Sequence, residues 1–282
     1  MQTKIIIHGG FFSESSTSAE VKKLKQDALQ HIATNAYNYL QTHTATETVV
    51  YAVELLENDT LFNAGLGSQI QSDGKIRMSA SIMDGETQKF SGVINIQNIQ
   101  NPIRVAEKLM PYDDRVLGGE GANEFATTNN FPAYNVELPQ RREEYLQKLK
   151  SKGLGTVGCV ALDASGKIAA ATSTGGKGFE MVGRISDSAT VAGNYANAQC
   201  GVSCTGVGED IVSGAVATKI VTRVTDGFTI KDAFQKTFAE LLPYDGFAGA
   251  IGIDAQGNIY NQDSHPSMVY ASFDGVTMQV FN

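Results

Sequence analysis

No apolar stretch in this 282-residue chain approaches the ~18 residues that a membrane-spanning helix needs, so nothing in it calls for a bilayer. The N-terminus, Met1-Gln2-Thr3-Lys4-Ile5-Ile6-Ile7-His8, has too short an apolar run for a secretory signal, and a cytoplasmic location is the expectation. Basic residues are in deficit. The chain has 22 Lys and Arg against 30 Asp and Glu, a formal charge of -8. A general nucleic-acid binder shows the opposite balance, and acidic side chains spread along a chain serve mainly solubility. Cysteine is scarce. Cys159, Cys200 and Cys204 make no complete disulfide framework. Cys200-x-x-x-Cys204 also lacks the second ligand pair of a zinc site, so buried reduced thiols are expected. The four histidines, His8, His31, His43 and His265, are scattered without ligand spacing. There is no Gly-x-Ser-x-Gly elbow. The pairs Gly65-x-Gly67 and Gly206-x-Gly208 lack the rest of a dinucleotide fingerprint.

The chain does have an ordinary apolar share, 42%, enough to bury the core of a single domain. Lys4 to His8 reads as a buried strand running into Gly9-Gly10. Val21, Leu24, Ala28, Leu29, Ile32 and Ala33 recur at helical spacing. Thr44-Ala45-Thr46-Glu47 fits a capping box that opens a second helix to Glu57. Strands are expected at Ile76 to Met83 and Phe90 to Gln97, and a short helix from Asn101-Pro102 to Met110. From Pro111 to Pro139 periodicity fades into loops around at most a short helix. Gln140 to Lys152 then reads as a charged helix with little apolar face, the mark of a weakly packed segment or linker. Val157 to Leu162 and Lys167 to Thr174 form a hairpin about Asp163-Ala164-Ser165-Gly166, and a similar hairpin spans Ala248 to Gln262. Between them Gly208 to Thr225 and Thr229 to Leu242 read as two helices, with short closing strands at Met268 to Ser272 and Met278 to Phe281. The order favours packed sheets with helices outside.

The first hairpin carries a geometric consequence. If Asp163 pairs with Lys167, Thr156 faces Thr174, and same-face neighbours across two strands lie about 5 Å apart. A plain cross-strand threonine pair and a two-hydroxyl site both fit. Gly183-Arg184-Ile185-Ser186-Asp187 sets a guanidinium and a carboxylate three residues apart, which suits either a zwitterion or a local ion pair. Ser203-Cys204-Thr205-Gly206-Val207-Gly208-Glu209 joins a strand end to a helix start, where a hydroxyl and N–H groups can face an oxyanion.

Taken together, Gly155-Thr156-Val157-Gly158, Ala171-Thr172-Ser173-Thr174-Gly175-Gly176, Gly183-Arg184-x-x-Asp187 and Thr205-Gly206-x-Gly208-Glu209 resemble the plant-type asparaginase/isoaspartyl peptidase family of N-terminal nucleophile hydrolases. Ile7-His8-Gly9-Gly10, Phe62-Asn63-Ala64-Gly65-x-Gly67 and Ala80-Ser81-Ile82-Met83-Asp84-Gly85 extend the likeness upstream, leaving out only about 111–152. The resemblance implies an α+β fold, a four-layer αββα sandwich. It implies one domain over 1–282, cut between Gly155 and Thr156 into an α piece, 1–155, that ends in a linker from about 111, and a β piece, 156–282. It implies Thr156 as nucleophile with its own new α-amino group as base, supported by Thr174. The Thr205 hydroxyl and Gly206 N–H would form the oxyanion hole. Arg184 would hold the substrate carboxylate and Asp187 its ammonium, beside Gly208, with Asn63 next to the nucleophile. No cofactor is implied for catalysis. Backbone carbonyls of Leu56, Glu57, Asp59, Phe62, Ala64 and Leu66 would hold a structural sodium ion. The implied assembly is a homodimer, (αβ)2 after cleavage, with small amides as the only partners, no nucleic acid and no membrane.

The substrates so implied are isoaspartyl dipeptides and the side-chain amide of asparagine. A glycosylasparaginase with the same nucleophile, and an unprocessed non-catalytic homologue, are the alternatives. The chain departs from the family pattern at Phe11-Phe12, at Leu154, at Ser186 and in Gly176-Lys177-Gly178-Phe179-Glu180, none of which removes a proposed catalytic group.

Overall fold

The protein is described by a computed structural model over residues 1–12, 18–147 and 155–282. In chain order the elements are β1 (Lys4–Phe11), α1 (Ala19–Leu40), α2 (Ala45–Glu57), β2 (Met78–Asp84), β3 (Lys89–Ile96), α3 (Pro102–Leu109), β4 (Val116–Gly118), α4 (Gly119–Thr128), α5 (Pro139–Leu146), β5 (Thr156–Leu162), β6 (Ile168–Thr174), β7 (Asn194–Ala196), β8 (Cys200–Gly206), α6 (Gly208–Gly214), α7 (Val216–Thr225), α8 (Ile230–Ala239), β9 (Ala248–Asp254), β10 (Ile259–Asp263), β11 (Met268–Phe273) and β12 (Met278–Val280). Local chemistry explains many boundaries. Ser18 caps α1 by accepting from Val21 N–H. Thr44 and Glu47 close the capping box of α2 in both directions, which satisfies donors that a helix start leaves open.

The strands make two sheets. The larger runs β12-β11-β1-β5-β6-β2-β3-β4, and the smaller runs β10-β9-β8-β7. Three apolar cores separate four layers. Ile5, Ile7, Val157, Cys159 and Ala161 meet Val49 and Val53 of α2 on the outer face of the large sheet. Ile6, Val160, Leu162, Ile168 and Ala170 meet Ile251 and Ile253 between the sheets. Val202, Cys204 and Ala250 meet Ile220 of α7 and Phe234 of α8 beyond the small sheet. The alternation of Ile5, Ile6 and Ile7 between two cores is the period-two signature of a strand buried on both faces. Full burial of each such side chain contributes about 1.5–3 kcal/mol. The result is the α+β, four-layer αββα sandwich.

Several expectations need correction. The stretch from 111 to 139, read as loops around at most a short helix, does hold a short helix, ten-residue α4, which buries Ala122 and Ala126, but it also contains β4, which pairs parallel with β3. Packing rather than propensity holds this glycine-rich helix. The first part of the expected linker is therefore built into the large sheet. Helix α5 is shorter than the charged segment read from Gln140 to Lys152, whose end falls outside the described residues. It has no buried residue, yet it docks through Tyr145, which stacks on Phe179 and donates to Ser72 O. The helix expected from Gly208 to Thr225 is broken at Ala215, with φ at +47°. A Cβ on Gly214 would stand 2.9 Å from the Leu241 side chain, so a glycine suits the turn before the break. Strand β7 went unread. The three cysteines are buried free thiols, as expected, with burial pushing each thiol up.

The inter-sheet core changes character along its length. Past Val160 and Ala170, the same faces carry His8, Gly158, Thr172 and Ser203, then Thr156, Thr174 and Thr205. A buried polar atom left without a partner costs about 1–3 kcal/mol, so this polar end demands an account of every bond.

Candidate active site

Thr156 and Thr174 are paired across β5 and β6, in the register that the Asp163–Lys167 turn dictates. Their hydroxyl oxygens lie 3.3 Å apart, and both residues are almost fully buried. Thr174 Oγ1 also accepts from Gly176 N–H at 3.3 Å, which leaves it able to donate or accept toward Thr156. Gly155 precedes Thr156 and packs on Asn63; a Cβ on Gly155 would fall 2.8 Å from Asn63 Cβ. Asn63 in turn donates its side-chain N–H to Gly176 O, and its carbonyl accepts from Gly175 N–H. The scissile junction of the resemblance is thus walled by the loop that follows α2.

The second sheet supplies the facing groups. Thr205 on β8 is fully buried, and its Oγ1 has no hydrogen-bond partner. Gly206 follows with φ at +135°, and a Cβ there would meet Phe247 O at 2.5 Å, so only glycine fits. Helix α6 then starts at Gly208, around which the charged pair closes. A Cβ on Gly208 would lie 2.8 Å from Arg184 Nη2 and 3.0 Å from Asp187 Oδ1.

Asp187 is 1% exposed. Its Oδ1 accepts from Ser186 Oγ at 2.8 Å, while Oδ2 is buried and unpartnered. Burial pushes its carboxyl up from 3.8 to about 6, against the opposing pull of the Ser186 hydroxyl and the Arg184 guanidinium. Arg184 makes a two-point contact with Glu209, Nε to Oε1 at 3.0 Å and Nη2 to Oε2 at 2.9 Å. Lys177 reaches the same carboxylate at 3.2 Å. Hydrogen bonding from Arg184, first among several causes, holds Glu209 down at about 2. Arg184 is therefore aimed by a carboxylate before any ligand arrives. A cavity of about 10 Å³, room for about one water, lies between Thr174 and Arg184, with Ser79, Asn95 and Glu180 also in its wall. Among the described residues, a larger cavity beside Ile76 and Val136 and another beside Arg104 and Phe131 hold none of these residues.

Thr205 Oγ1 and Asp187 Oδ2 are two of several buried side-chain atoms without a hydrogen-bond partner among the described residues, and Thr205 leaves a hydroxyl open at this end of the sheets. A model of the asparaginase family matches residues 1–153 and 137–281. The chain belongs to the asparaginase family. Its fold is that of the N-terminal nucleophile hydrolases. A Nostoc sp. protein named isoaspartyl peptidase/L-asparaginase is 44% identical over 280 residues, 92% of this chain and 88% of its own. A Mus musculus protein of the same name is 35% identical over 292 residues, 98% and 89% of the two chains. A Pyrococcus horikoshii protein named plant-type L-asparaginase is 34% identical over 295 residues, 95% of each.

The structure brings together Thr156, Thr174, Asn63 and Gly155 on one side and Thr205, Gly206, Gly208, Arg184 and Asp187 on the other. The carbonyl loop from Leu56 to Leu66 folds tightly behind Asn63. Cβ atoms on Gly65 and Gly67 would fall 2.2 Å from Glu57 O and 1.7 Å from Phe62 O. Asp59 N–H, Phe62 N–H and Gly67 N–H bond the carbonyls of Leu56, Asp59 and Ala64, each of which keeps a second lone pair. Among the described residues no group of three or more His, Cys, Asp or Glu could hold a metal. Among the described residues no helix is long and apolar enough to cross a membrane. Sequence reasoning passed over His8, Ser203 and Thr172, which form a bonded polar group directly beneath Thr156. The available signal was parity: His8 lies two residues beyond Ile6, on the same face of the strand.

Proposed function

We propose that the chain is a self-processing amidohydrolase that cleaves β-aspartyl dipeptides and the side-chain amide of L-asparagine with Thr156 as nucleophile. The observation that carries the reading is the buried Thr156–Thr174 hydroxyl pair set immediately after Gly155. The relatives named isoaspartyl peptidase/L-asparaginase support the choice of substrate class.

Processing comes first. Thr156 Oγ1 attacks the Gly155 carbonyl, the peptide nitrogen leaves as the Thr156 amine, and the resulting ester takes up water. Residues 1–155 end in a carboxylate and 156–282 begin with a free α-amine. That amine, with an ordinary pKa of about 7.7–8.0, suits a general base near neutral pH. In turnover it takes the Oγ1 proton as Oγ1 attacks the substrate amide carbon. Thr205 Oγ1 and Gly206 N–H face the developing oxyanion. The same amine returns its proton to the leaving nitrogen, freeing ammonia or an amino acid. Water then attacks the acyl ester, and aspartate leaves. Arg184 takes the substrate α-carboxylate and Asp187 its α-ammonium. The clamp fixes the side-chain amide over Oγ1, an orientation effect.

Turnover of β-aspartyl-leucine tests this reading; turnover confined to glycosylated asparagine would replace it. The reading also carries a pH dependence. Protonation of the amine base already lowers kcat/KM about tenfold per pH unit below its own pKa, and Asp187 binds ammonium only when ionised, so the fall steepens to about a hundredfold per unit below the point where its carboxyl protonates, about 6. The fold itself favours the neutral carboxyl. Ionising it between 3.8 and about 6 costs stability on the order of 3 kcal/mol. A kcat/KM profile whose slope stays at about tenfold per pH unit down to about pH 4.5, with no steepening near 6, would contradict the role.

The carbonyl loop from Leu56 to Leu66 is a site for a structural sodium ion, since neutral oxygens suit a hard cation. Exchange of sodium for a bulky organic cation is expected to lower the melting temperature by several degrees. No shift would remove the ion from the account. No cofactor takes part in the chemistry. The working form is a homodimer, (αβ)2 after cleavage, in the cytoplasm.

A further inference from the structure

Strand β1 pairs with β5 from Lys4 opposite Leu162 to His8 opposite Gly158, and that ladder stops there. Beyond it the β1 backbone turns through Gly10 at φ +88°, and its next pairing is on the other side, Phe11 with Met268. The Thr156 carbonyl lies past the end of the ladder. It takes its bond from a side chain instead: His8 Nδ1 stands 2.9 Å from Thr156 O. On the other side of the ring, His8 Nε2 is 2.9 Å from Ser203 Oγ, which is 2.7 Å from Thr172 Oγ1. Gly158 makes room for this contact. A Cβ there would fall 2.0 Å from Ser203 Oγ and 2.5 Å from His8 Nε2.

The direction of each bond follows from elementary rules. His8 is fully buried, and burial pulls its imidazole down to about 3, so the ring is neutral. A carbonyl only accepts, so Nδ1 carries the proton. Nε2 then has only a lone pair, and Ser203 must donate to it. Ser203 Oγ is left to accept from Thr172. A chain of bonds aligned in one direction strengthens each member, and this one runs from β6 through β8 and β1 to β5.

We infer that His8 is a positioning residue, holding Thr156 by its main-chain carbonyl so that its amine and hydroxyl keep the geometry that attack requires. The inference rests on Thr156 being the nucleophile. Its weight is greatest after processing, when Thr156 loses its peptide bond to Gly155 and hangs from β5 as a chain end. The bond from His8 then fixes the one main-chain group of that residue which cleavage leaves in place.

Two substitutions separate positioning from packing. Asparagine at 8 puts its N–H₂ where Nδ1 stands; glutamine puts its amide where Nε2 stands. Processing and β-aspartyl-leucine hydrolysis are compared in His8→Asn and His8→Gln. His8→Asn is expected to process and to keep kcat within about fivefold. His8→Gln is expected to lose about 100-fold or more in processing or in kcat, with KM nearly unchanged. Both should lose thermal stability alike. Equal loss of rate in the two variants, or a loss confined to KM, would overturn the inference. Should neither variant fold, Ser203→Ala keeps His8 and removes its donor: kcat about tenfold lower supports the inference, and an unchanged kcat overturns it. Nitrogen NMR of labelled histidine in the wild-type protein reads the tautomer without any assay, and a protonated Nε2 would also overturn it. Turnover persisting in Thr156→Ala would remove the nucleophile and not the hydrogen bond.

Discussion

Thr156→Ala is expected to yield a single uncut polypeptide with no detectable turnover of asparagine or β-aspartyl-leucine. One atom is asked to do both jobs. In the precursor Oγ1 attacks the preceding carbonyl, and in the mature enzyme it attacks the substrate. Loss of a nucleophile in an acyl-transfer site removes at least about 10⁴ of the rate, and here the α-amine is never released either. The fold should survive, because alanine in place of Thr156 gives up only the 3.3 Å bond to Thr174 Oγ1. That Thr174 hydroxyl keeps the Gly176 N–H as partner. Intact mass and a melting curve measured on the same sample distinguish the two effects. Cleavage persisting in the variant would show that the nucleophile lies elsewhere.

Arg184→Ala is expected to lower kcat/KM by about 10²–10³-fold while processing continues. Truncating one partner of a hydrogen-bonded charge pair costs about 2–5 kcal/mol, and each 1.36 kcal/mol is tenfold. Both kinetic terms should suffer, because the clamp holds the substrate and also aims its amide. Glu209 would be left behind. Its carboxyl, held at about 2 chiefly by Arg184, should rise toward the ordinary range, leaving a negative charge where the substrate carboxylate binds. Arg184→Lys keeps the charge but loses the fork that bonds Glu209 at two points, so it should recover little. The assay is steady-state kinetics with asparagine on the processed variant. A kcat/KM within threefold of wild type would take Arg184 out of the site.

The pairing of Thr156 with Thr174 was legible because it is local. A turn at Asp163 to Gly166 fixes the register of both strands, and the register fixes the pair. The capping box at Thr44 was legible for the same reason. Thr205 and Asp187 reached the site through the family resemblance, since only the stacking of two sheets brings them near Thr156. The break at Ala215 was illegible: Val212-Ser213-Gly214-Ala215-Val216 reads as continuous helix, and the left-handed backbone at Ala215 is seen only in the structure. Helix α4 was expected only as a short helix among loops, and burial of Ala122 and Ala126 overrides the low propensity of its glycines, while three-residue β4 beside it is fixed only by pairing with β3. His8 was discounted for lack of a ligand spacing, although its partners are a carbonyl and a hydroxyl on two other strands.

The central claim is that the Gly155–Thr156 bond is cut by the residue that follows it and that the cut makes the enzyme. Intact-mass analysis of the purified wild-type protein, taken alongside β-aspartyl-leucine turnover through a processing time course, tests it most directly. The expected result is two chains, residues 1–155 and 156–282, with activity rising in step with the second. A single full-length species that hydrolyses the dipeptide at a constant rate would contradict it.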